Sequence, residues 1–122
     1  MSDRLGIGII GLRMGYAQFT QLKDMPDVDL VAVCDLDETV VRRAERDFEV
    51  PLATTEYREV VEHPDVDIVS VATPDYLHVE QSVAALENGK QVMVEKPMAR
   101  TVEECEAMIA AGREADTAYR WR

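Results

Sequence analysis

The sequence predicts an α/β fold, a doubly wound parallel sheet in three α/β/α layers. Three observations carry the prediction. Short, continuous apolar runs recur at Leu5–Ile10, Leu30–Cys34, Ile68–Ala72 and Gln91–Val94, and unbroken runs of that length suit strands covered on both faces. Segments of helical periodicity separate them, so successive strands are joined by crossovers and run parallel, with right-handed crossovers placing helices on both faces. Pro26, Pro51 and Pro64 all fall between the elements, where a missing N–H does least harm.

Each element has its own signature. The first run, LGIGII at 5–10, opens the sheet. Tyr16–Lys23 reads as the first helix, with Phe19, Leu22 and Tyr16 on its inner side. LVAVC at 30–34 is the second strand. Glu38–Phe48 follows as a helix whose Val40, Val41, Ala44 and Phe48 share a face. Glu56–Glu62 makes a short third helix before the strand IVSVA at 68–72. Tyr76–Asn88 is a fourth, with Tyr76, Val79, Val83 and Leu86 expected on one stripe and Asn88-Gly89 as its C-terminal stop. The strand QVMV at 91–94 leads to Thr101-Val-Glu-Glu104, a capping box that opens a fifth helix running through Arg113.

Composition narrows the function. The chain has 122 residues, a single domain's length. Asp and Glu total 24 against 13 Lys and Arg, a net charge of −11, which repels phosphate backbones and anionic lipids. Nucleic-acid and membrane roles are therefore not expected. No apolar run reaches the ~18 residues of a spanning helix, and the N-terminus lacks the apolar stretch of a signal peptide. A soluble, cytoplasmic protein is the expectation. Cys34 and Cys105 stand apart, so neither a disulfide framework nor a metal site is expected. Heavy acidity with few lysines also matches salt-adapted proteins, and a halophilic chain would melt at higher temperature in molar KCl.

Chemistry concentrates at the predicted carboxyl ends of the strands. A literal GxGxxG runs from Gly6 to Gly11, but Gly6 and Gly8 lie within the first strand, and a phosphate loop follows a strand. The physical turn is Gly11-Leu12-Arg13-Met14-Gly15, where helix-start N–H groups can face a pyrophosphate. Arg13 stands at the second glycine position, Tyr16 at the third, and Gly15 comes one residue early. Arg13 can compensate by pairing with a phosphate, and a plain strand–helix turn is the alternative. Asp35 ends the second strand and is placed to accept hydrogen bonds from an adenosine ribose diol. With Asp37 it would repel a 2′-phosphate, favouring NAD over NADP. Alternatively, Asp35 or Asp37 caps the next helix.

Thr73-Pro74-Asp75 leaves the third apolar run, with Asp75 expected as an N-cap and His78 in the first helical turn, either beside the crevice or as an ordinary surface or satisfied core histidine. His63, before Pro64, reads as an ordinary surface or core histidine. Glu95-Lys96-Pro97 leaves the fourth run. A partly desolvated Lys there can hydrogen-bond a hydroxyl or donate a proton to a carbonyl oxygen, and an exposed Glu-Lys loop is the alternative.

GIIGL at 8–12, AVCD at 32–35, VATPDYLH at 71–78 and ALENGKQVMVEKP at 85–97 together resemble the N-terminal domain of the glucose–fructose oxidoreductase / inositol dehydrogenase (Gfo/Idh/MocA) family. The resemblance covers roughly residues 5–115. It implies a Rossmann-like domain at 1–115, a tail at 116–122, and hydride transfer between NAD(P) and a sugar, polyol or related alcohol. Carried onto matching positions, Gly11, Leu12, Arg13, Met14 and Gly15 would face the pyrophosphate, Asp35 the adenosine ribose, and Thr73, Pro74 and His78 the nicotinamide half. Glu95 and Lys96 match the family's Glu-Lys-Pro motif, whose Lys contacts the nicotinamide ribose and the substrate hydroxyl. Lys96 is thus the one expected catalytic residue.

Family members continue into a further strand and a substrate domain that supplies the base. Without them, the expectation is a weak or inactive oxidoreductase domain. The competing readings are a non-catalytic dinucleotide-binding module and a degenerate fragment. An unpaired sheet edge near Gln91–Val94, partly covered by Tyr119 and Trp121, would favour self-association.

Overall fold

A computed structural model describes residues 4–13, 17, 20–21, 24–114 and 119–121. Six strands form one sheet: β1 (Leu5–Ile10), β2 (Val28–Cys34), β3 (Leu52–Thr54), β4 (Ile68–Val71), β5 (Gln91–Val94) and β6 (Tyr119–Trp121). Their spatial order is β3-β2-β1-β4-β5-β6, and every pairing is parallel. Among the described residues, bounded helices are α1 (Glu38–Phe48), α2 (Tyr57–Val61), α3 (His78–Glu87) and α4 (Val102–Glu114), with a 3-10 turn at Asp75–Leu77 before α3. The doubly wound α/β class follows from this order. No helix among the described residues is long and apolar enough to cross a membrane.

The sheet separates two cores. On one face Ile7, Ile9 and Val33 pack with Leu12 and with Val41 and Ala44 of α1. On the other, Ile10, Val69, Val71, Val92 and Val94 meet Val60 and Val61 of α2, Ala85 and Leu86 of α3, and Met108 of α4. Strands covered on both faces are apolar at successive positions, which is why the runs were unbroken in the sequence.

The amino ends of the strands are fastened together. Gly6 donates its N–H to Asp67 Oδ2 at 2.8 Å, and its carbonyl accepts the Asp67 N–H at 2.7 Å. The Arg4 guanidinium donates to Asp29 Oδ1 at 2.6 Å and to the carbonyls of Pro26 and Val28, each at 2.7 Å. Lys90, 9% exposed, donates Nζ to the His63 carbonyl at 2.6 Å. A Cβ at Gly6 would lie 1.8 Å from the Asp65 carbonyl oxygen. Gly6 therefore serves this close approach at the foot of the sheet, far from the strand ends where a phosphate turn belongs. His63 is a satisfied turn residue, its Nδ1 accepting the Asp65 N–H at 3.0 Å.

Several expectations change. Residues 119–121, expected in a tail, form β6 and pair with Val92–Val94, so β5 is not the bare edge that self-association required. β3 was not foreseen. The buried stripe of α3 is His78, Gln81, Ser82, Ala85 and Leu86, whereas Tyr76 lies in the 3-10 turn and is 54% exposed. Val79 and Val83 pack only partly against the core. Asp75 makes no capping bond and sits inside the 3-10 turn. The expected first helix over 16–23 falls mostly outside the described residues. Elsewhere the caps agree: Thr101 Oγ1 accepts the Glu104 N–H at 3.1 Å, and Glu104 accepts the Arg100 N–H at 2.9 Å, one residue earlier than a capping box places it.

Candidate functional site

The carboxyl ends of β1, β2, β4 and β5 open on one cleft of about 670 Å³, lined by Gly11, Arg13, Asp35, Thr73, Pro74, His78, Glu95 and Lys96 among others. Ligand pockets run ~300–1,000 Å³, and in open parallel sheets they sit at this end, where the strand order reverses. Here the reversal lies between β1 and β4.

Gly11 makes the turn out of β1. Its φ is +96°, and a Cβ there would come within 2.6 Å of the Ala72 carbonyl group, so only glycine fits without moving backbone. Its N–H donates to the Cys34 carbonyl at 2.8 Å. Leu12 then buries its side chain completely, and its N–H donates to Asp35 Oδ2 at 2.9 Å. That N–H faces the carboxylate of β2, not open cleft, which revises the expectation that Leu12 presents its amide to a pyrophosphate. Arg13 is exposed, its side chain 79% accessible and its guanidinium 3.8 Å from Asp37. An exposed pair of that length holds weakly, so an anion in the cleft can draw the guanidinium away at little cost. Met14 and Gly15 lie outside the described residues.

Asp35 is half-buried. Its second oxygen, Oδ1, accepts the Asp37 N–H at 2.9 Å. Asp37 in turn caps α1, accepting the Thr39 N–H at 2.9 Å. Of the two residues offered as the cap, Asp37 caps the helix, while Asp35 fastens the turn, a role the sequence did not suggest. Each Asp35 oxygen still has a lone pair for one further donor. Beside it, Cys34 is 2% exposed. Burial, with the charges of Asp35, Glu56 and Glu59, pushes its thiol up to about 12, so it is no nucleophile.

On the other side of the cleft, α3 holds two loops. Thr73 Oγ1 donates to Gln81 Oε1 at 2.6 Å. His78, 1% exposed, has Nε2 at 2.7 Å from the Thr73 carbonyl oxygen and Nδ1 at 2.9 Å from that of Pro97. Enclosed on both nitrogens, His78 borders the cleft as a brace rather than as an accessible base. Glu95 donates its N–H to the Val71 carbonyl at 3.0 Å, extending the ladder beyond β5. Lys96 follows, exposed, and the Lys96–Pro97 peptide is cis. The sequence missed Leu36, Tyr57 and Tyr76 as cleft residues. Leu36 was legible as the neighbour of a strand-end acid; Tyr57 was not, because β3 had gone unseen.

The residues fit a dinucleotide: an acid with spare lone pairs under one half, an exposed cation on the central turn, a second cation at the far half, and apolar wall between. A sequence profile described as the oxidoreductase family with an NAD-binding Rossmann fold matches residues 5–121. The chain is 34% identical over 87 residues to levoglucosan dehydrogenase of Pseudarthrobacter phenanthrenivorans, a match covering 71% of this chain and 22% of that protein. Its fold superposes on a probable dehydrogenase from Thermotoga maritima with a TM-score of 0.93 and 31% identity, over 96% of this chain and 35% of that one. It also superposes on scyllo-inositol dehydrogenase from Lactobacillus casei, solved with bound NAD(H) and scyllo-inositol, with a TM-score of 0.89 and 25% identity, over 97% of this chain and 36% of that one. The chain thus spans between 22% and 36% of the length of these three proteins.

Proposed function

The chain belongs to the Gfo/Idh/MocA oxidoreductase family, and from that premise we propose that its cleft binds NAD in preference to NADP and serves hydride transfer to or from an alcohol carbon of a sugar or polyol. One observation carries the reading: Asp35 and Lys96 share a single cleft at the carboxyl ends of a parallel sheet.

When bound, the nicotinamide supplies the hydride acceptor or donor. The chain's own residues do the rest. Asp35 takes the adenosine ribose hydroxyls on its remaining lone pairs, and with Asp37 it repels a 2′-phosphate. Gly11 holds the turn close to the strand ends, and Arg13 pairs with the pyrophosphate. Met14 and Gly15 would face the same pyrophosphate, as the family resemblance implies. Thr73 and Pro74 wall the nicotinamide half. Lys96 would hydrogen-bond the oxygen of the reacting hydroxyl and hold it in place, with Glu95 beside it.

Affinity is expected in the high-micromolar range or weaker, because the Leu12 N–H is already committed to Asp35. Slow turnover is expected too. The two ring nitrogens of His78 both face carbonyl oxygens, which leaves Lys96 as the cleft's exposed lysine and no accessible imidazole among the described residues that line it. That same observation favours the second reading, a dinucleotide-binding module without turnover. Titration of NADH and NADPH by fluorescence, followed by hydride transfer from a panel of polyols and sugars, tests both. Failure of millimolar NADH to bind would sink the proposal, and binding without transfer would select the second reading.

A further inference from the structure

We propose that His78 is the positioning residue for Lys96, fixing where that lysine stands in the cleft without touching substrate or cofactor itself. The proposal rests on the cofactor reading only for its functional consequence.

The backbone is anchored on both sides of Lys96. Before it, the Glu95 N–H donates to the Val71 carbonyl at 3.0 Å, the last rung between the β4 and β5 chains. After it, the Pro97 carbonyl oxygen lies 2.9 Å from His78 Nδ1. Lys96 is therefore a one-residue span between a sheet hydrogen bond and a buried ring. The same ring reaches the Thr73 carbonyl at 2.7 Å through Nε2, and Thr73 is gripped again by Gln81, 5% exposed. Both carbonyls only accept, so a bond here runs from a ring N–H, which the neutral imidazole carries on one nitrogen at a time; the tautomer protonated on Nδ1 ties the Pro97 carbonyl, while Gln81 keeps Thr73 held. The first turn of α3 thus holds the loop after β4 and the loop after β5 as one unit.

A rotamer-rich lysine gains little from hydrogen-bonding a hydroxyl unless its backbone is already fixed, since ordering it costs entropy. This accounts for His78 and Gln81 where α3 would otherwise bury aliphatic side chains: the two exchange apolar burial for ties to the two loops.

The test compares the wild type with His78→Phe, which keeps bulk and removes the ring N–H, and with His78→Gln, which restores a donor. The order parameter of the Lys96 backbone amide, from nitrogen-15 relaxation of the ligand-free chain, is the main readout. A rigid backbone gives ~0.85 and a flexible one below ~0.6. We expect Lys96 to fall from the first range to the second in His78→Phe, with Val92 and Val94 unchanged and partial recovery in His78→Gln. Should His78→Phe not fold, His78→Gln alone decides, with an expected order between the two limits. Unchanged Lys96 order in a folded variant overturns the proposal. Loss of order spread equally over β5 overturns it as well, because His78 would then be merely structural. NADH titration of the same samples separates the two ideas: an ordered, His78-dependent Lys96 in a chain that never binds NADH defeats the cofactor reading and leaves the positioning role standing.

Discussion

Replacing Asp35 tests the turn and the cofactor preference in one experiment. In the structure its two oxygens accept the Leu12 and Asp37 N–H groups, each at 2.9 Å. A hydrogen bond to a charged group contributes about 1.5–3 kcal/mol, so losing two removes roughly 3–6 kcal/mol in the dry limit. Asp35 is only half-buried, and water replaces part of the loss. Asp35→Ala should therefore destabilise the chain by about 2–3 kcal/mol. Asp35→Asn should cost about 1–2 kcal/mol, since its amide oxygen still accepts one N–H while its NH₂ opposes the other.

Urea unfolding at fixed pH measures both. Binding should respond differently. Asp35→Asn should weaken NADH by roughly 10- to 100-fold, about 1.4–2.8 kcal/mol, through the lost ribose acceptors. NADPH should weaken less or improve, because a charge that repels its 2′-phosphate has gone. The decisive quantity is the NADH-to-NADPH affinity ratio, read on folded protein by fluorescence titration. An unchanged ratio refutes the ribose role. Unchanged stability in Asp35→Ala refutes the claim that this carboxylate fastens the turn.

Three further outcomes are expected. Cys34, raised from 9.0 to about 12 by burial first and neighbouring acids second, keeps its proton where the unfolded thiol loses it. Stability is then fully present below pH 9 and falls as pH rises toward 12, by about 2 kcal/mol near pH ~10.5 at ~1.4 kcal/mol per unit. Urea curves at pH 8 and 10.5 should show Cys34→Ala losing less over that interval, and equal slopes would refute the assignment. Gly11→Ala and Gly6→Ala should both destabilise by several kcal/mol, about 3 or more, one through strain and a 2.6 Å clash and the other through a 1.8 Å clash. Gly6→Ala should leave NADH affinity per folded molecule intact, whereas Gly11→Ala should weaken it at least tenfold; equal effects would mean that Gly6 does belong to the phosphate turn. Thermal melts in dilute buffer and in molar KCl should show a rising midpoint if the excess of acids is a salt adaptation, and a flat response rejects that idea.

What was legible in the sequence followed the physics of repetition. β1, β2, β4 and β5 announced themselves as unbroken branched runs because both sheet faces are covered. Asp37, Thr101 and Asn88-Gly89 act locally, so their signals lie within a few residues. β3 and β6 are three residues each, too short for any pattern to rise above chance, and their pairing is decided by the strands they join. The stripe of α3 was rotated for a different reason. Counting apolar residues put Val79 and Val83 inside, but carbonyls of distant loops reward burial of His78 and Gln81, and no local rule sees those partners. Asp35 was found as a strand-end acid, while its bond to Leu12, 23 residues earlier, was not, since only the folded chain brings them together.

The two ends of the sheet carry different burdens. Arg4, Asp67 and Lys90 clasp the foot through side-chain bonds between the strands and loops there, and the cleft rim takes no part in them. Asp35 and Gly11 bear weight at both levels, whereas exchanging Leu36, Arg13 or Tyr76 should retune what the proposed cofactor cleft selects while the foundation keeps the chain folded.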